Sequence, residues 1–193
     1  MCAGQSRRYP KPYPKPLEPI LGEPNYKRTI RLLNENKINN VIISVSDENY
    51  NYFDYENKII GSNKREIDRF RNLREYIDNE ALILYGDVVY YEADLKNILN
   101  NINKNINFFG RFSKFNCNEI FGIYVSDKDK FFNAVDSTAL KFENNLLKRE
   151  IGLDVFKELG TDKNDLITLS EKTNDYDIVA QYEKIKKLYS EIL

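Results

Sequence analysis

Two motifs open this chain and decide its fold: Ala3-Gly4-Gln5-Ser6-Arg7-Arg8 and, after a short spacer, Lys15-Pro16-Leu17-Glu18-Pro19-Ile20-Leu21-Gly22-Glu23-Pro24. Small residues in the first motif let backbone N–H groups approach an anion, and the arginines supply positive charge. All six prolines lie between Pro10 and Pro24, so the loop that carries Lys15 is stiff. A stiff, basic, glycine-containing loop at the start of an α/β chain predicts a cradle for a triphosphate or a similar anion.

Each motif also has a simpler interpretation. The first is compatible with an ordinary turn between a strand and a helix, with its arginines in solvent. The near-repeat of Pro10-Lys11-Pro12 and Pro14-Lys15-Pro16 is typical of a proline-rich linker, or of a PxxP ligand for an aromatic groove. Signals from the rest of the chain have to decide between these interpretations.

Composition excludes several classes of protein. The length of 193 residues favours a single domain over residues 1–193, with a substantial core. The content of 41% hydrophobic and 31% charged residues suits a globular protein. The formal net charge of −1 argues against a nucleic-acid-binding surface, and no apolar run is long enough to span a membrane. We therefore expect neither nucleic acid nor a membrane among its partners.

The cysteine and histidine contents limit the cellular location and the catalytic chemistry that the sequence allows. Cys2 and Cys117 are too few for a disulfide framework, which favours a reducing, cytoplasmic location. The sequence contains no histidine, so Ser-His-Asp and Cys-His nucleophile systems are excluded, as are zinc sites with histidine ligands. Any chemistry has to use carboxylates, lysines, arginines, hydroxyl groups or a metal ion.

Short apolar runs alternate with amphipathic stretches along the chain. This alternation predicts an α/β fold of three α/β/α layers around a mostly parallel, Rossmann-like mixed sheet. Strands are predicted at residues 1–3, 41–45, 81–85, 106–112, 120–125 and 166–169. Helices are predicted at residues 25–36, 64–78, 93–100, 128–135, 147–159 and 179–192.

Acidic residues follow two of the predicted strands. Asp87 comes after the strand at 81–85, and Asp175 and Asp177 come after the last strand. In open α/β sheets, ligands bind outside the carboxyl ends of the strands, and Mg²⁺ is held by one or two carboxylates plus phosphate oxygens. These aspartates are therefore candidate Mg²⁺ ligands beside the basic loop, although capping a turn or a helix is a simpler role for each.

The motifs resemble the nucleotidyltransferase superfamily with the GT-A-like fold, which includes sugar-phosphate, choline-phosphate and molybdopterin nucleotidyltransferases. That family opens with a strand, then A-G-x-G/S-x-R, a spacer and K-P-L-x-P-x-x-G-x-P, as at residues 3–8 and 15–24 here. Its central strand that ends in G-D-V or G-D-N is matched by Gly86-Asp87-Val88. The resemblance spans essentially the whole chain, with the motifs in the right order.

Two features depart from the family's pattern. The family often ends in D-I-D-T-P-E-D-Y/L before a last helix, whereas the stretch from Asp175 to Tyr182 lacks the Thr-Pro-Glu-Asp portion. Relatives also carry several apolar residues before the first motif, where this chain has Met1 and Cys2. Either the first strand is very short, or the true start of the protein lies upstream.

The resemblance implies an NTP site with Mg²⁺ as cofactor. The implied ligands of the triphosphate are Ala3, Gly4, Gln5, Ser6, Arg8 and Lys15, of which Arg8 and Lys15 would stabilise the reacting phosphates. Asp87 and one of Asp175 or Asp177 would hold the Mg²⁺ ion.

The remaining implied contacts are with the base and the acceptor. Ser62 and Asn63 lie where relatives often contact the base. Arg111 and Glu119 are candidates for binding the acceptor, for which a surface ion pair is the simpler role.

The implied function is Mg²⁺-dependent transfer of NMP from an NTP to a phosphorylated small-molecule acceptor, with release of pyrophosphate. A sugar 1-phosphate or a phosphocholine-like acceptor is implied, as is a role in sugar nucleotide biosynthesis by a monomer or homodimer. A GT-A glycosyltransferase is one alternative, because Asp175-Tyr176-Asp177 has the Asp-x-Asp form that binds nucleotide sugars. A catalytically inactive nucleotide-binding relative is the other, and the short first strand favours it.

Overall fold

The computed structural model describes residues 1–2, 9, 13–62, 65–102, 105–112, 118–161 and 166–192. The helices are α1 (Asn25–Glu35), α2 (Glu66–Asn72), α3 (Glu92–Asn100), α4 (Lys128–Glu143), α5 (Gly152–Glu158) and α6 (Val179–Ile192). The strands are β1 (Pro19–Ile20), β2 (Glu23–Pro24), β3 (Ile43–Val45), β4 (Lys58–Ile60), β5 (Ala81–Leu84), β6 (Val88–Val89), β7 (Ile106–Phe112), β8 (Asn118–Val125), β9 (Leu166–Thr168) and β10 (Asn174–Asp175). Short 3-10 helices lie at Lys15–Leu17 and Asp47–Tyr52.

The chain forms two compact units. The first contains Met1–Ile60, Tyr85–Asn100 and Ser170–Leu193, and the second contains Gly61–Leu84 and Asn101–Leu169. The chain thus passes from one unit to the other several times. The prediction of a single domain over residues 1–193 stays a prediction.

A four-stranded sheet, in the order β5-β8-β7-β9, forms the second unit's centre. β8 runs antiparallel to both β5 and β7, whereas β9 runs parallel to β7. Phe108, Phe109 and Ile123 of this sheet are buried, as is Phe131 of α4. The β7–β8 pair shifts register at Gly110, where any Cβ atom would collide with the carbonyl oxygen of Glu119, so only glycine fits that close approach.

The strands described in the first unit form two-stranded sheets. β1 and β2 are antiparallel, β3 and β4 are parallel, and β6 and β10 are antiparallel. Met1 and Cys2 extend this framework: the Cys2 N–H donates to the Ser44 carbonyl at 2.7 Å, and the Gly86 N–H donates to the Met1 carbonyl at 2.7 Å. A Cβ atom on Gly86 would lie 2.8 Å from the Met1 oxygen, so this approach also requires glycine.

Two apolar clusters stabilise the first unit. Cys2 and Tyr26 of α1 pack with Ile43, Val45 and Phe53 in one cluster. The other cluster is rich in tyrosine and consists of Tyr9, Ile20, Val89, Tyr176, Tyr182, Ile185 and Tyr189. The second cluster joins the inner face of α6 to β1 and β6, because Tyr182, Ile185 and Tyr189 recur at helical spacing.

The α/β class with a mixed sheet, which the sequence predicts, is confirmed. Parallel pairing is less extensive than predicted, since only β3–β4 and β7–β9 are parallel among the described strand pairs. Two of the four antiparallel pairs described, β1–β2 and β7–β8, have a local cause, because they join neighbours along the chain and short connections favour antiparallel pairing. Of the helices described, none has both the length and the apolar character required to cross a membrane.

Candidate active site

Lys15 is held in a rigid frame of proline and turn residues. It begins a 3-10 turn with Pro16, and the β1–β2 hairpin follows directly. The hairpin turn has positive φ at both central residues, 55° at Leu21 and 82° at Gly22, which is the twist that a two-residue hairpin needs. Residues 15–24 therefore form an ordered turn and hairpin, which argues against a linker over this stretch.

The Lys15 ammonium lies between two carboxylates. Its Nζ atom is 2.8 Å from Oδ1 of Asp177 and 3.6 Å from Oδ2 of Asp87. The lysine side chain is only 6% exposed, whereas those of Asp87 and Asp177 are 41% and 29% exposed. The two carboxylates are thus accessible to solvent, and both face the Lys15 ammonium.

Strand pairing explains why residues so far apart in sequence meet here. Asp87 directly precedes β6, and β6 pairs antiparallel with β10, with Val88 opposite Asp175. Asp177 follows β10 by two residues, so this pairing carries it to the turn that contains Asp87. Asp175 itself is a member of β10.

Tyr176 connects the lysine segment to β10 and α6. It is completely buried, and its hydroxyl donates to the backbone carbonyl of Lys15 at 2.5 Å. Burial raises the pKa of the Tyr176 phenol far above its ordinary value of 10.0, and the negative charge of Asp87 raises that pKa further. The phenol therefore keeps its proton and remains a donor to the lysine segment.

This donor set fits a magnesium ion. No cluster of three or more acidic or thiol side chains occurs in the part of the chain that the structure describes. Two converging carboxylates agree with the usual coordination of Mg²⁺, which keeps several waters and takes its other ligands from substrate phosphates. Asp87 and Asp177 are the residues that would hold it.

Other residues singled out from the sequence lie in the second unit. Arg111 of β7 and Glu119 of β8 face each other in the strand register and form an ion pair of 2.7 Å. The Ser62 N–H donates to Oδ1 of Asn72 at 3.1 Å. Their roles in binding the acceptor and the base stay predictions. The remaining predicted site residues lie outside the described part of the chain: Ala3, Gly4, Gln5, Ser6, Arg8 and Asn63.

Sequence reasoning missed two residues that contact this site's backbone. Asn25 is completely buried, and its Nδ2 atom donates to the carbonyls of Gly86 and Val88. Tyr176 enters the sequence-based prediction only as the residue between two aspartates. Its available signal is an aromatic ring between two charged residues, since a large aromatic side chain is buried more readily than a carboxylate.

Comparisons with known proteins agree with this geometry at the level of the fold. No family model and no curated protein matches the chain. A Bacillus anthracis protein described as a glucose-1-phosphate thymidylyltransferase, solved with sucrose, is similar at a TM-score of 0.68, with 14% identity over 97% of this chain and 92% of that one. The 4-diphosphocytidyl-2C-methyl-D-erythritol synthase of Anaerococcus prevotii has a TM-score of 0.62, with 10% identity over 91% and 93% of the two chains.

A third neighbour is HddC from Yersinia pseudotuberculosis, solved in complex with GMP-PN. Its TM-score is 0.54, with 16% identity over 91% of this chain and 90% of that one. At such identities the likeness concerns the fold. The chain has the Rossmann-like α/β fold of these nucleotidyltransferases, and the resemblance drawn from its motifs is confirmed at that level.

Proposed function

We propose that this chain is a nucleotidyltransferase that moves NMP from an NTP to a phosphorylated small molecule and releases pyrophosphate. The observation that carries the proposal is the position of the Lys15 ammonium, in contact with Asp87 and Asp177. A buried lysine beside two accessible carboxylates suits a triphosphate that arrives with a divalent cation. The fold shared with the structural neighbours supports the same reaction class.

The reaction itself needs little proton chemistry. An oxygen of the acceptor's phosphate attacks the α-phosphorus of the NTP, and the bond from that phosphorus to the β-phosphate oxygen breaks. The attacking oxygen is already an anion, so no general base is required, in agreement with a sequence that has no histidine. Catalysis then depends on positioning and on stabilising negative charge.

Each residue of the site has a defined task in this proposal. Lys15 neutralises the phosphate oxygens as the pentavalent state forms, and we expect the same of Arg8. Asp87 and Asp177 would hold Mg²⁺, which would supply further charge neutralisation on the phosphates when bound. Asp175 remains the alternative to Asp177, whose Oδ1 atom lies 2.8 Å from the Lys15 ammonium.

For the acceptor we propose a sugar 1-phosphate or a phosphocholine-like compound, which places the reaction in sugar nucleotide biosynthesis or an equivalent pathway. Two structural neighbours support this choice, because their names describe a thymidylyltransferase of glucose 1-phosphate and a synthase of a diphosphocytidyl sugar alcohol. Arg111 and Glu119 are the proposed acceptor contacts, and Ser62 and Asn63 the proposed base contacts.

Pyrophosphate release, assayed with each common NTP against a set of sugar 1-phosphates and phosphocholine in Mg²⁺ buffer, tests the proposal. We expect Lys15→Ala and Asp87→Ala to stay folded and to lose about 10²–10³-fold in turnover, as when one transition-state contact is removed. Lys27→Ala and Asp54→Ala are matched controls, since these residues form an exposed ion pair of 2.9 Å in the same unit. Both controls should keep wild-type turnover.

Two results would contradict the proposal. One is wild-type turnover in both Lys15→Ala and Asp87→Ala. The other is sugar transfer from a nucleotide sugar without pyrophosphate release, which would favour a GT-A glycosyltransferase. A folded protein without activity or NTP binding would point to an inactive relative.

A further inference from the structure

Asn25 is a buried amide that lies close to the proposed metal site. It is the first residue of α1, and its side chain is completely buried. Its Nδ2 atom donates to the carbonyl of Gly86 at 3.2 Å and to the carbonyl of Val88 at 2.9 Å. These two carbonyls belong to the residues on either side of Asp87, so one side-chain amide spans the turn that carries the carboxylate.

The backbone of Asn25 makes a further connection. Its N–H donates to the carbonyl of Glu18 at 2.9 Å, and the Glu18 N–H donates to the carbonyl of Lys15 at 2.9 Å. All of these residues belong to the first unit. Asn25 therefore joins the Asp87 turn to the segment that positions Lys15, through one side-chain amide and one backbone N–H.

A role in capping α1 does not account for this side chain. The residue at the N-cap of α1 is Pro24, and the bonds from the Asn25 amide leave the helix for the Asp87 turn. Only a group with two hydrogens on one atom can donate to both carbonyls. Leucine would fill a similar volume without donating, and aspartate would point a carboxylate at two carbonyl oxygens.

We propose that Asn25 is a positioning residue that fixes Asp87 relative to Lys15 and thereby sets the affinity of the site for the divalent cation bound with the NTP. The inference rests on the proposed function. The side chain of Asp87 is 41% exposed, so the backbone on either side is what determines where its carboxylate lies. If that backbone loosens, Asp87 and Asp177 are still present, but their carboxylates are no longer held at the spacing that one divalent cation requires.

The test compares Asn25→Leu with Asn36→Leu. Asn36 is a matched control because it ends the same helix and its Nδ2 also donates to a backbone carbonyl, that of Leu32 at 2.8 Å. Mn²⁺ binding is measured by electron paramagnetic resonance in the presence of each common NTP, together with the Mg²⁺ concentration for half-maximal pyrophosphate release and the melting temperature. Asn25→Ser is a second variant, in case the leucine variant does not fold.

We expect Asn25→Leu, which removes both hydrogen bonds, to weaken Mn²⁺ binding about tenfold and to raise the half-maximal Mg²⁺ concentration by a similar factor. Asn25→Ser should show a smaller change in the same direction. Asn36→Leu should bind Mn²⁺ like the wild type, even where its melting temperature falls as far as that of Asn25→Leu.

The outcomes separate this inference from the proposed function. If the wild type binds Mn²⁺ with an NTP but a folded Asn25 variant binds it equally well, the positioning role is wrong and the proposed function stands. If the control weakens binding as much as Asn25→Leu, a general loss of stability explains the effect and the inference is overturned. If the wild type binds no Mn²⁺ with any NTP, both are overturned.

Discussion

At the scale of single residues, Lys15 occupies a position that a metal ion would also favour. Its ammonium contacts Asp177 and lies 3.6 Å from Asp87, so one positive charge already faces both carboxylates. A divalent cation that arrives alone has to compete with this charge. A triphosphate would draw the ammonium towards its own oxygens and leave the carboxylates for the metal, which couples metal binding to NTP binding.

Lys15→Met tests this competition, because the substitution should strengthen metal binding although it lowers activity. Methionine has nearly the same length but no charge, so a cation that enters meets the two carboxylates without the repulsion of the Lys15 ammonium. We expect Mn²⁺ to bind the NTP-free variant about tenfold more tightly than the wild type, as measured by electron paramagnetic resonance.

Lys27→Met is the control for that measurement, since Lys27 pairs with the exposed carboxylate of Asp54 at 2.9 Å. It should leave Mn²⁺ affinity unchanged. Equal or weaker Mn²⁺ binding by Lys15→Met would contradict the view that the lysine excludes the metal from the NTP-free site.

At the scale of elements, α4 and α5 of the second unit are joined by one carboxylate. Glu158 near the end of α5 accepts hydrogen bonds from Lys141 Nζ at 2.6 Å and from Ser137 Oγ at 2.7 Å. These bonds, led by the one from Lys141, hold the pKa of Glu158 below its ordinary value of 4.5. A carboxyl with a lowered pKa in the folded state stabilises that state only while it is ionised.

The substitution Glu158→Gln should therefore make the free energy of unfolding less dependent on pH. The contribution of Glu158 is fully present above pH 4.5, the value for the unfolded chain, and is lost as the pH falls through the lower folded-state pKa. We expect urea unfolding to show a wild-type advantage over Glu158→Gln at pH 7 that shrinks steadily below pH 4.5. An advantage that is constant from pH 7 to pH 3 would contradict this role.

Long, strongly periodic elements were predictable from sequence. The predicted helix at 179–192 coincides with α6, and the predicted helix at 25–36 agrees with α1 to within one residue. The predicted helix at 128–135 was too short, since α4 continues to Glu143, where Asn145 adopts a positive φ of 58°. The predicted helix at 147–159 was too long, because α5 begins only at Gly152.

The shortest strands could not be predicted, although they assemble the site. β6 and β10 contain two residues each, which is too few to show any alternation of apolar and polar positions. Their pairing is what brings Asp177 to Asp87. The motifs therefore singled out Lys15, Asp87 and Asp177, which lie together in the structure, while the contacts of Asn25 and Tyr176 depend on tertiary structure that no local pattern encodes.

At the scale of the whole molecule, the proposed site gathers residues from the beginning, middle and end of the sequence. Lys15, Asp87 and Asp177 all belong to the first unit, which the chain completes only when it returns at Ser170. Loss of the final segment would therefore remove Asp177 and Tyr176 together with α6. The formal net charge of −1 gives the molecule no general attraction for anions, so affinity for a triphosphate has to come from local charge.

The measurement that tests the central claim most directly is the melting temperature of the purified chain with each common NTP, with and without Mg²⁺. At an NTP concentration about 100 times the dissociation constant, binding should stabilise the fold by about 2.7 kcal/mol and raise the melting temperature by roughly 5–10 °C. We expect that rise with one NTP, only when Mg²⁺ is present, and not in Asp87→Ala. No rise with any NTP in the folded wild-type protein would contradict a triphosphate site built on Lys15, Asp87 and Asp177.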